Sequence, residues 1–308
     1  MRVWLIKKMR PLIGFESLLC VAGTLANLWF LWSILSSSRL RRSMRNQLLC
    51  NLMIAHLVQT LIVSPVEIAE YIHIINPPWD FDVYCRLEAM ENIVGHIHSA
   101  LTDWIIVFLV GLYCANRLNL NLAAKVGPRL GTMCQVAIHT IPWIIVVTAT
   151  SVTFSKFVGL GRCQYVPSYQ KFLLETFYTI IPSILSVLML LALCVMVRRQ
   201  SDIAHTDMRR QADLALSSDR MVAYVAIVGI TWVCEIANIT TTLQKQIDKV
   251  GTGYWMECMI NLISGYRALL GLLPLLFLPD ILDRVKTWRP WQPQIEPARI
   301  DLPATLNV

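Results

Sequence analysis

The chain alternates long apolar runs with short polar ones. Seven runs reach spanning length, at about 12–35, 47–71, 87–118, 131–154, 170–197, 221–243 and 253–278. A bilayer core of about 30 Å takes about 20 helical residues, so each run predicts a membrane-crossing α-helix. The connections between runs are short, which predicts one helical bundle and no separable soluble domain. The third run is the longest. From Arg86 to Leu118 it would rise roughly 50 Å as a helix, more than a bilayer core requires. It also carries Glu88, Glu91, His96, His98 and Asp103, which are costly against lipid and must face protein or water. That combination predicts a tilted or protruding helix at the centre of the bundle.

Composition sharpens this to a membrane protein. Hydrophobic residues make up 56% of the 308 and charged residues only 15%, where a soluble chain carries about 25% charge. The net charge of +7 follows from Lys and Arg gathered in alternate loops. Arg39, Arg41, Arg42 and Arg45 follow the first run, and further basic residues lie within 117–129, 198–220 and 284–299. By the positive-inside rule these loops are cytoplasmic and the N-terminus is outside, although Arg2, Lys7, Lys8 and Arg10 lie on that outer segment. The basic balance therefore implies no nucleic-acid partner. The first run is too long for a cleavable signal and serves as its own insertion signal. The predicted organisation is an extracellular segment 1–11, a seven-helix unit 12–288 and a cytoplasmic tail 289–308.

Enzyme chemistry finds no support. His96 and His98 are two apart, so on a helix they point to different faces and do not share a metal. No metalloprotease, nucleophile-elbow, phosphate-loop or paired-cysteine motif is present, and no cofactor or metal is implied. Of nine cysteines, most fall in or beside apolar runs and read as buried thiols. Cys85 and Cys163 fall in predicted outer loops, where disulfides persist.

Several motifs occur in an ordered series. The first helix holds Gly23-x-x-x-Asn27, whose small residue permits close helix approach and whose amide asks for a partner on a neighbouring helix. The second holds Asn51-Leu52-x-x-Ala55-His56-Leu57 followed by Pro65. Then come Trp79-x-Phe81-x-x-x-Cys85-Arg86-Leu87, Asn116-Arg117-Leu118, Pro142-Trp143, Pro182, Trp232 and Pro274. This series resembles the rhodopsin-like G-protein-coupled receptors over roughly residues 12–288, with a flavour of invertebrate FMRFamide-type peptide receptors. The resemblance implies a plasma-membrane receptor with a Cys85–Cys163 disulfide and a short amphipathic helix 8 over 280–288. It gives Trp232 the role of switch at the floor of the ligand pocket. Pro182 and Pro274 become helix-switch positions, and Arg117 contacts a heterotrimeric G protein. The sequence also departs from the pattern: the helix-2 carboxylate is His56, the acid before Arg117 is missing, and Leu273-Pro274-Leu275-Leu276-Phe277 stands for N-P-x-x-Y. Arg117 also lies about two helical turns too far from Cys85. Either Cys85 belongs to an extended outer segment, or Arg117 is not the matching arginine.

The outer half of this arrangement is acidic. Glu67, Glu70 and Glu91, with Asp103 and Glu235 deeper, could converge on one cavity with Trp232 and with Arg267 as a cationic partner. An acidic, aromatic-walled cavity suits a cation through charge pairing and cation–π contact, which points to a short basic peptide as ligand. Two alternatives stay open. One is a receptor homologue that does not signal; the other is a seven-helix transporter using the buried ionisable residues as an ion or proton path.

Overall fold

The structure is a computed structural model that describes residues 2–41, 43–75, 81–117, 127–155, 177, 180–203, 221–234, 236 and 281. Every regular element among the described residues is helical. In chain order they are α1 (Arg2–Leu35), α2 (Ser38–Arg41), α3 (Met44–Val58), a π-helical turn (Gln59–Val63), α4 (Ser64–Ile75), α5 (Phe81–Arg117) and α6 (Gly127–Ser155). They continue with α7 (Ile181–Ile203) and α8 (Met221–Cys234). Ile13–Leu35, Met44–His73 and Cys85–Ala115 are long and apolar enough to cross a membrane, while α6, α7 and α8 contribute shorter apolar stretches. The described residues are all-helical, and the three long apolar helices are those of a membrane protein by length and composition. Cys163, Glu235, Arg267, Pro274, the tail and most of 280–288 lie outside the described residues.

Both faces of α1 are apolar, and each has a different use. Leu18, Val21, Leu25, Trp32 and Leu35 recur at three- and four-residue spacing and are exposed, which forms a lipid-facing stripe. Leu19, Asn27, Phe30 and Ile34 lie on the buried side. The helix also extends through the polar stretch before the apolar run, starting at Arg2 and carrying Pro11 within it.

Met44 to Ile75 is one helix with a π turn in its middle. Pro65 supplies a reason. A proline inside an α-helix lacks an N–H and its ring presses on the carbonyl four residues back, here Leu61. Widening the preceding turn relieves that contact, and the Ser64 N–H reaches back to the Gln59 carbonyl in the longer π spacing. The proline then sits in the first turn of α4, where its missing donor costs least. The wider turn fits against α1 because Gly23 has no side chain: a Cβ there would come within 2.8 Å of Thr60 Cγ2.

α5 is the centre of the described bundle. It packs against α3, the π turn, α4, α6 and α7, while α1 packs on α3, the π turn and α4. Leu49, Leu52 and Met53 of α3 meet Leu101, Ile105 and Leu109 of α5 in a core that also takes in Val146, Leu190, Ile227 and Ile281. Four hydroxyls in the bundle are satisfied within their own helices. Ser33, Thr102, Ser186 and Thr231 each donate to the carbonyl four residues back, which spares them an unmet donor in an apolar setting. At the corner between α1 and α3, Asn46 Nδ2 donates to the Leu40 carbonyl and Gln47 Nε2 to that of Arg41. These bonds fix the basic turn that follows α1.

Candidate functional site

Four polar clusters lie between the helices. The first lies toward the Glu67 end, where α1, α4 and α5 meet. Glu16, Glu67 and Glu70 are buried there and Glu91 is partly buried. The carboxyl groups of Glu16 and Glu67 face each other, with Glu70 and Glu91 near enough to act on Glu67 by charge. A carboxylate has no donor, and both oxygens of Glu16 and Oε2 of Glu67 meet no donor among the described residues. One proton held by either group turns the facing pair into a hydrogen bond.

The second group lies about two to three helical turns deeper. His56 of α3 and His98 of α5 meet with Nδ1 and Nε2 3.3 Å apart, both rings almost wholly buried. The third lies between α5, α7 and α8. Asp103, Ser183, Ser186, Thr231 and Trp232 line a narrow recess there, closed to water in this conformation. The Trp232 indole donates from Nε1 to the Ser183 carbonyl at 3.1 Å, tying α8 to the turn that carries Pro182. Asp103 is 2% exposed, so the carboxyl stands in the protein interior at that depth.

A fourth polar cluster ties α3 to α6. His139 Nε2 meets Gln47 Oε1 at 2.8 Å, and Asn51 Nδ2 meets His139 Nδ1 at 3.1 Å. Gln47 already donates its amide to Arg41, so its oxygen is the atom left for the histidine. His139 therefore donates from Nε2 and accepts at Nδ1, which assigns one neutral tautomer from the network.

Against the sequence expectations, the structure sorts the ligand residues into two places rather than one. Glu67, Glu70 and Glu91 form the first group, joined by Glu16, which the sequence reading passed over inside the first apolar run. Asp103 and Trp232 share the recess of the third group. Pro182 is buried in the first turn of α7. Asn27 donates its amide to the Gly23 carbonyl of its own helix.

Cys85 calls for a correction. It lies within α5, which begins at Phe81, and not in an outer loop or an extended segment. Of the two ways to reconcile the Cys85–Arg117 spacing, the extended segment is therefore removed. Arg117 ends the same unbroken helix. Cys85 is not among the free cysteines of the described residues, which are Cys20, Cys50, Cys114, Cys194 and Cys234.

Compared with known families and curated proteins, the chain matches no family model and no curated sequence.

Proposed function

We propose that this protein is a divergent seven-helix receptor of the rhodopsin-like kind. It takes a short basic peptide at the Glu67 end of the bundle and acts on a heterotrimeric G protein at the Arg117 end. The reading places the N-terminus outside the plasma membrane and pairs Cys85 with Cys163 beside the ligand entrance. The observation that carries it is the meeting of Asp103 and Trp232 at one recess, with the Trp232 indole anchored on the carbonyl beside Pro182. A ligand descending from the acidic group would reach that recess next, and displacing Trp232 there would release α8 from α7. Tyr113 of α5 and Tyr224 of α8, stacked with ring centres 4.3 Å apart, lie further along the same two helices toward the Arg117 end. Movement of α8 would part them and open a cleft for the partner. Arg117, beyond that stack, would touch the G protein directly.

Binding of a fluorescent, C-terminally amidated basic peptide to membranes carrying the full chain tests the ligand half of this reading. Glu67→Gln, Glu91→Gln and Asp103→Asn should each weaken binding, and the cost should grow as salt is lowered. A peptide that binds equally well to all three variants contradicts the site.

A second reading has its own support. Glu67, the His56–His98 pair and Asp103 place buried ionisable groups at successive depths of the bundle, and such a series is also what a proton-coupled transporter uses. Proton flux into proteoliposomes carrying the chain would favour that reading over the receptor.

A further inference from the structure

We propose that the His56–His98 pair is a proton-binding centre, so that protons act on this protein as a second ligand, separate from anything bound at the acidic group. The inference goes beyond the receptor reading and does not depend on it.

The geometry is specific. Nδ1 of His56 and Nε2 of His98 are 3.3 Å apart, the ring centres 5.6 Å apart and the ring planes 54° from parallel. Two imidazoles have that centre separation when the facing nitrogens lie on the line joining the rings. The rings therefore meet nitrogen to nitrogen and are not stacked. An imidazole nitrogen donates only when protonated and accepts only when bare. The contact thus holds one proton between two nitrogens. Protonating both would aim two N–H groups at each other and abolish the bond.

The surroundings make that event matter. His56 and His98 are 1% and 2% exposed, so water does not stand in for the lost bond. His56 also lies three residues before the π turn, and His98 presents its carbonyl to the Thr102 hydroxyl. A first added proton goes to an outer ring nitrogen and leaves the bond intact; once both rings are charged, the imidazolium rings face nitrogen to nitrogen and repel each other. Acid would therefore loosen α3 from α5 at this level. Histidine is the side chain whose ordinary titration spans the physiological range. A metal reading is weaker, since no group of three or more His, Cys, Asp or Glu able to hold an ion occurs among the described residues.

Other titratable groups lie on the elements packed around the pair: Glu16 on α1, Glu67 and Glu70 on α4, Glu91 and Asp103 on α5, and His139 on α6. His139 is engaged by Gln47 and Asn51. The carboxyl groups are the competing source of any pH effect, and the test separates them.

The experiment uses the full chain in lipid nanodiscs, with ¹⁵N-labelled histidine and thermal melting at about pH 7.5 and about pH 5.5. The expected result at the higher pH is a through-bond N–H···N correlation between two histidine rings, lost at the lower pH. The melting midpoint should fall by about 3 °C or more on acidification. In the His56→Leu, His98→Leu double variant the fall should shrink to within about 1 °C, while Glu67→Gln should keep it. If the double variant does not fold, His98→Gln serves instead: its amide offers His56 a partner but does not titrate. Absence of the correlation at the higher pH overturns the proposal. So does an acid effect that survives removal of the histidines or that Glu67→Gln abolishes.

Discussion

The Cys20 thiol of α1 donates to the Thr60 carbonyl at 2.7 Å, and the Thr24 hydroxyl meets the Thr60 hydroxyl at 3.0 Å. A π turn leaves backbone carbonyls without their usual α-helical donors, and α1 supplies one of the replacements. The close approach depends on Gly23. Gly23→Ala should destabilise the bundle by about 1–3 kcal/mol, because the new Cβ meets the Thr60 methyl in a packed interior. Thr60→Ser removes that methyl and keeps the hydroxyl, so the double variant should recover most of the loss. Thermal melting of the four proteins in nanodiscs gives the coupling.

Trp232→Phe keeps a large ring beside Asp103 but removes the bond to the Ser183 carbonyl. One hydrogen bond is worth about 1 kcal/mol net. If it belongs to the resting state, its loss should raise ligand-free nucleotide exchange about fivefold. Unchanged or lower basal exchange would remove the indole from the switch.

The Tyr113–Tyr224 stack, with its planes 20° apart, should hold α5 and α8 together toward the Arg117 end. Tyr224→Phe preserves the stack and should cost much less than removal of the ring. Tyr224→Ala should cost about 3–5 kcal/mol, from lost burial together with the ring pair. Melting curves for the two variants compare ring against hydroxyl directly.

His139→Leu should cost about 1–3 kcal/mol, because it leaves the Gln47 oxygen and the Asn51 amide without their histidine partner. Replacing all three, His139→Leu with Gln47→Leu and Asn51→Leu, should cost less than the sum of the single changes. Melting of the single and triple variants checks this.

Much of the architecture was legible because it rests on length and spacing. The third run had to be a long interior helix, given its extent and its Glu, His and Asp residues, and α5 occupies that place. Gly23 was legible as a site of close approach for the same reason. What escaped were relationships between helices. Pro65 was visible, but the π turn before it was not, since an extra residue in one turn leaves the apolar pattern on either side almost unchanged. Glu16 was lost inside an apolar run, and only the packing of α1 on α4 brings it to Glu67. His96 and His98 stand two apart on one helix, and helical spacing puts them on different faces. That logic gave no sign that His98 faces His56 from another helix. The Cys85–Arg117 spacing was noticed but had two explanations, and the unbroken α5 removes one of them.

The most direct test of the receptor reading is nucleotide exchange on a mixed panel of heterotrimeric G proteins, in membranes carrying the full chain, with and without short amidated basic peptides. The account predicts exchange that rises with peptide and is lost in Asp103→Asn. Surface-expressed protein that drives no exchange with any G protein or peptide would contradict it.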